Sequence, residues 1–118
     1  MKLKNKIALI TGTSAGIGKK CAMELAKRGT HLVLLARRYE KLEKLKKKLV
    51  VYDVDVFIYE VDVTKLQSIE RIVSDLQEKK IVPNILINNA GLSQGIDPID
   101  QANIEDWERM IDTNIFNI

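Results

Sequence analysis

The sequence predicts an α/β fold, a doubly wound parallel sheet with strand order 3-2-1-4, on three observations. Short apolar runs alternate with stretches whose apolar residues recur at helical spacing. Most of those runs are continuously apolar rather than alternating, which suits strands covered on both faces. A glycine-rich turn joins the first run to the first helical stretch.

In chain order, Ile7 to Ile10 reads as a buried strand closed by Thr11-Gly12. From Gly16 to Arg28, the residues Ile17, Cys21, Leu25 and Ala26 fall at helical spacing, and Gly29 is the expected stop. Leu32 to Ala36 is the second strand. Tyr39 to Leu49 is the second helix, with Leu42, Leu45 and Leu49 on one stripe. Val54, Val56, Ile58 and Val61 mark a third strand region, and Leu66, Ile69, Ile72, Val73 and Leu76 a third helix. Ile85-Leu86-Ile87 is the fourth strand, introduced by Pro83-Asn84. A turn-rich loop, Gly91 to Ala102, leads to a last helix capped by Asn103 and carrying Ile104, Trp107, Met110, Ile111 and Ile115. The order is βαβαβαβα, and right-handed crossovers then set the strand order.

Length and composition narrow the class. The 118 residues make one domain, 1–118, and 46% apolar with 30% charged residues is an ordinary balance for a soluble globular protein. No apolar run approaches the ~20 residues of a membrane span. Ile7 to Ile10 is too short for a signal peptide's apolar region, so no membrane partner and a cytoplasmic location are expected. Cys21 and His31 are the single cysteine and histidine, which excludes an internal disulfide or a cysteine-based metal cluster; no metal site is expected. The net charge is +3, with lysines concentrated at Lys41, Lys44, Lys46, Lys47 and Lys48. That run reads as a solvated helix face. No aromatic stacking surface accompanies it, so no nucleic-acid partner is expected.

The chemistry is concentrated in Thr11-Gly12-Thr13-Ser14-Ala15-Gly16-Ile17-Gly18. Gly12 permits the sharp turn, Gly16 lets backbone approach a ligand, and Gly18 lets the helix pack on the sheet. The helix start then offers N–H groups and positive potential to a pyrophosphate. At the end of the second strand stands Ala36-Arg37-Arg38, where an acid would bond a ribose 2′-hydroxyl and repel a 2′-phosphate. Two guanidiniums suit that phosphate by charge and by paired donors, so NADP is the expected cofactor.

The pattern T-G-x-x-x-G-x-G, with Asn88-Asn89-Ala90-Gly91 after the fourth strand and Asp62-Val63 after the third, resembles the short-chain dehydrogenase/reductase family over the whole chain. The segment from Asn88 to Asn114 resembles the family's branch of NADP-dependent dehydrogenases of serine, allo-threonine and related 3-hydroxy acids. The resemblance implies a Rossmann-type fold and hydride transfer between NADP(H) and a small-molecule alcohol or carbonyl. It implies that Gly12, Thr13, Ser14, Ala15, Gly16, Ile17 and Gly18 hold the phosphates and adenosine ribose. Asp62 and Val63 then flank the adenine, and Asn89, Ala90 and Gly91 line the path to the nicotinamide ribose. Asn114 matches the asparagine that fixes a water in the proton relay, and full-length relatives commonly form homo-oligomers.

The family's tyrosine with a lysine four residues later is missing. Tyr39, Tyr52 and Tyr59 are followed at that distance by Glu43, Val56 and Val63, and no serine lies beyond Ser93. The expectation is an enzyme's cofactor half, truncated before its catalytic segment, with negligible turnover alone and a tendency to self-associate. The alternative is a non-catalytic nucleotide-binding module that ends naturally at residue 118.

Overall fold

Among the described residues every strand pairing is parallel, and the strands lie in the order β3-β2-β1-β4. The computed structural model describes residues 3–13, 16–62 and 65–88. They form β1 (Ile7–Thr11), α1 (Gly16–Lys27), β2 (His31–Ala36), α2 (Tyr39–Leu49), β3 (Val56–Glu60), α3 (Leu66–Glu78) and β4 (Ile85–Asn88). The predicted sheet order is the observed one. The loop from Gly91 and the helix from Asn103 lie outside the described residues.

Two apolar layers account for the continuous runs. Ala8 and Ile10 of β1 and Leu32 and Leu34 of β2 face one way, packing with Ala22 and Ala26 of α1 and Leu42, Leu45 and Leu49 of α2. Leu9, Val33 and Leu35 face the other way and meet Ile69, Ile72 and Leu76 of α3. Successive side chains of a strand point to opposite faces. A strand covered on both sides is therefore apolar along its middle, with polar residues such as His31 and Thr11 left to the strand ends.

Of the expected face of α1, Ala26 is buried and Leu25 packs against the core, but the helix is turned away from the rest of that stripe. Its buried residues are Gly18, Ala22 and Ala26, while Ile17 is 68% exposed and Cys21 is half-buried. Small residues at four-residue spacing let this helix lie close to the sheet, so closeness rather than side-chain bulk defines its contact face. Leu66, read as part of the α3 stripe, is also exposed at the start of that helix. A 3₁₀ turn at Val50–Tyr52, which the sequence did not reveal, extends α2 and closes on Asp53 in the left-handed region at φ 61°.

Specific polar links fix the strand starts. The Asn84 side-chain oxygen accepts from the Ile7 N–H at 2.9 Å, and the Asn84 N–H donates to the Ile7 carbonyl at 2.7 Å. His31 Nδ1 accepts from the Asp55 N–H at 3.0 Å, which joins the head of β2 to the approach to β3. No helix among the described residues is long and apolar enough to cross a membrane, and none of their side chains cluster as metal ligands.

Candidate nucleotide-binding site

The carboxyl ends of β1, β2 and β3 lie side by side, and the predicted site residues follow directly from them. Thr11 pairs with Leu35 on one side and with the backbone of Asn88 on the other, and Ala36 pairs with Glu60. Since β2 and β4 flank β1, the chain winds away in opposite directions from this point. Open α/β sheets bind ligands outside the strand ends at such a switch point.

One carbonyl ties the glycine loop to the arginine pair. The Leu35 oxygen accepts from the Gly12 N–H at 3.0 Å, from the Thr13 N–H at 3.4 Å and from the Thr13 hydroxyl at 3.3 Å. Leu35 is two residues before Arg37, so the start of the loop is held against the strand end that presents both guanidiniums. Thr13 is fully buried by this arrangement. Its hydroxyl serves as an anchor for the loop, a role that its position among the phosphate-loop residues did not disclose. A hydroxyl residue directly after the turn glycine is the signal that sequence reading had available.

The loop geometry fits a phosphate. Gly12 and Gly16 both take positive φ, 68° and 60°, a region that L side chains rarely adopt. A Cβ built at Gly16 would meet no described atom within 4 Å, so among the described residues open space lies against that backbone. A Cβ at Gly18 would sit 2.4 Å from the Gly12 carbonyl oxygen, so the helix start and the turn are in direct contact there. The first turn of α1 has no acidic residue to oppose an anion. Exposed Ile17 stands beside this opening. Ser14 and Ala15 lie outside the described residues.

Arg37 and Arg38 are both exposed. Arg38 is the N-cap of α2, in extended conformation with no side-chain cap bond, and its carbonyl accepts from the N–H groups of Lys41 and Leu42. Neither guanidinium has a carboxylate partner among the described residues. Both residues therefore stand at the positive end of α2, two and three positions beyond the Leu35 carbonyl that holds the glycine loop, a setting that favours a dianionic group. On the other side of β2, the Val61 N–H donates to the Ala36 carbonyl at 2.9 Å and brings half-buried Asp62 to the same sheet end. Thus Gly12, Thr13, Gly16, Ile17, Gly18, Arg37, Arg38 and Asp62 gather at one rim. Val63, Asn89, Ala90, Gly91 and Asn114 lie outside the described residues.

A parallel sheet of this order, with a glycine loop at its switch point, defines the nucleotide-binding class of α/β protein. Residues 6–118 match the model of the short chain dehydrogenase family, and the chain belongs to that family. It is 40% identical over 119 residues to an NADP-dependent 3-hydroxy acid dehydrogenase of Schizosaccharomyces pombe, covering 99% of this chain and 46% of that protein. It is 37% identical over 108 residues to the enzyme of the same description from Escherichia coli K12, covering 92% and 42%. The chain thus spans just under half the length of these curated relatives. Among solved structures, L-sorbose reductase from Gluconobacter frateurii, in complex with NADPH and L-sorbose, aligns with a TM-score of 0.82 at 27% identity, covering 98% of this chain and 50% of that one. Xylitol dehydrogenase bound to NAD+ aligns with a TM-score of 0.72 at 26% identity, covering 98% and 48%. Backbone likeness therefore extends to holders of either nicotinamide cofactor, and the choice between them must come from side chains.

Proposed function

We propose that this chain holds NADP(H) for hydride transfer to or from a small alcohol or carbonyl compound of the 3-hydroxy acid class. The observation that carries the reading is the set of three hydrogen bonds accepted by the Leu35 carbonyl, which ties the glycine loop to the strand end that leads into Arg37 and Arg38. No acid occupies residues 36–38, so nothing there repels a 2′-phosphate. The loop from Gly12 to Gly18, with Ser14 and Ala15, cradles the pyrophosphate. Asp62 and Val63 flank the adenine, and Asn89, Ala90 and Gly91 guide the nicotinamide end.

The bound cofactor supplies hydride exchange with a carbon bearing oxygen. Asn114 is assigned to hold a water in the accompanying proton relay. The acid–base tyrosine and its lysine are not among these 118 residues, so they alone give negligible turnover. The two curated 3-hydroxy acid dehydrogenases support the substrate class. A cytoplasmic homo-oligomer is the accompanying proposal.

The cofactor assignment is tested by replacing both arginines with alanine and measuring NADPH and NADH affinity by calorimetry. Charge-assisted hydrogen bonds contribute about 1.5–3 kcal/mol each. The double variant is expected to bind NADPH on the order of 10²-fold more weakly, with NADH changed by about threefold or less. Equal losses for both nucleotides would refute it.

A further inference from the structure

We infer that a lysine-lined groove between α1 and α2 collects the polyanionic cofactor and speeds its association, favouring the nucleotide with the extra phosphate. This rests on the cofactor reading above and goes beyond it. The groove has a volume of about 460 Å³, and its lining includes Thr13 of the glycine loop and five lysines: Lys19, Lys41, Lys44, Lys47 and Lys48. Among the described residues no carboxylate lines it. None of the five lysines forms an ion pair among the described residues.

Helix stability explains only part of this arrangement. Lys47 and Lys48 lie in the last turn of α2, where cations suit the negative end of the helix. Lys41 lies in the first turn, at the positive end, where a cation is disfavoured. Lys19 comes from a different helix and faces the same groove. On α2, Lys41, Lys44 and Lys48 fall three and four residues apart with buried Leu45, so one face carries them all. The helix holds five lysines against Glu40 and Glu43, a net charge of +3. That equals the net charge of the whole chain, so the rest of the sequence balances to zero.

A concave surface of one sign focuses the field and raises anion encounter rates by about 10- to 10³-fold in favourable cases. Because Thr13 belongs both to the groove and to the phosphate loop, an anion drawn in is delivered next to its binding site. A 2′-phosphate adds about −1.5 to −2 charge at neutral pH. NADPH therefore gains more than NADH, and part of the cofactor preference is set during capture.

The test is stopped-flow binding of NADPH and NADH to the protein and to its K44Q/K47Q/K48Q variant, across ionic strength. At low salt the variant is expected to associate with NADPH about five- to tenfold more slowly, with a smaller change for NADH. The dissociation rate stays within about twofold of the original protein's, because steering charges act before contact. The difference closes near 1 M salt, where the Debye length falls to about 3 Å. The corresponding triple arginine variant restores the rate. An unchanged association rate, or a loss confined to dissociation, overturns the capture role while leaving the cofactor reading intact. If the original protein binds neither nucleotide, both readings fall together.

Discussion

A methyl group at position 18 would sit 2.4 Å from the Gly12 carbonyl, whereas one at position 16 would meet nothing within 4 Å. Both positions need glycine, for unrelated reasons. At Gly18 the obstacle is backbone, which has no side-chain rotamer with which to yield. At Gly16 no described atom crowds the site, and what disfavours other residues from the fold's standpoint is φ at 60° alone. Gly18→Ala is expected to destabilise by about 1–3 kcal/mol through overpacking and to disturb binding as a consequence. Gly16→Ala also carries a left-handed strain of about 1–2 kcal/mol, but its methyl group enters the space assigned to phosphate. Its NADPH affinity is therefore expected to fall at least about tenfold further than that of Gly18→Ala, when both are compared under conditions where each is folded. Urea denaturation paired with nucleotide titration separates the two effects. Unaltered affinity in Gly16→Ala would remove the phosphate from that space. Both glycines were legible in the sequence as residue types at a fixed spacing. The Leu35 carbonyl that organises them was not, because a backbone acceptor is the same in every residue and only the register of two strands reveals it.

Between elements, β3 and α3 are joined by a polar tether as well as by packing. The Tyr59 hydroxyl donates to the Asp75 carboxylate, and the Lys79 ammonium lies 3.0 Å from the same carboxylate and 5.7 Å from the Tyr59 ring centre. The Tyr59 bond, followed by the one to Lys79, holds the Asp75 carboxyl below its usual range. Burial, and then Asp75, pushes the Tyr59 hydroxyl up. A carboxyl depressed in the folded state contributes stability above its unfolded pKa of about 3.9, and that stability is lost as pH falls through the depressed value. A phenol raised in the folded state contributes below about pH 10, and its share is lost as pH rises through the raised value. Tyr59→Phe is therefore expected to lower the urea midpoint between about pH 5 and 9, with the gap to the original protein narrowing on acidification below about pH 4. A gap that stays constant down to pH 2 would show that the hydroxyl acts by something other than its bond to an ionised Asp75. The tether was illegible in the sequence, since Tyr59 and Asp75 are sixteen residues apart and meet only once α3 is docked. By contrast α2 and α3 were legible, because leucines and isoleucines mark their buried stripes. On α1 the sequence marked Gly18, Leu25 and Ala26 correctly but placed Ile17 and Cys21 on the stripe and passed over Ala22, which achieves contact by being small and so carries little hydrophobic signal.

For the whole molecule, the sheet divides the buried residues into two layers that share the strands but not their side chains. Ile10 belongs to the layer with α1 and α2, Ile69 to the layer with α3, and both are fully buried. The continuous apolar strands that made the fold class readable are the direct result of this two-sided burial. The same division has an energetic consequence. Removing one methylene from a buried isoleucine costs about 0.5–1.5 kcal/mol, mostly by leaving a small cavity that neighbours fill incompletely. Neighbours of Ile10 do not line the cavity left at Ile69, so neither deletion relieves or worsens the other. Ile10→Val and Ile69→Val are each expected to lower unfolding free energy by that amount, and the double variant by the sum of the two within about 0.5 kcal/mol. Both losses are small enough to leave the protein folded and the urea transition measurable. A coupling energy above about 1 kcal/mol in that double-mutant cycle would mean that the sheet transmits packing strain from one layer to the other. The nucleotide rim, held at the ends of those same strands, would then be sensitive to substitutions on either side of the molecule.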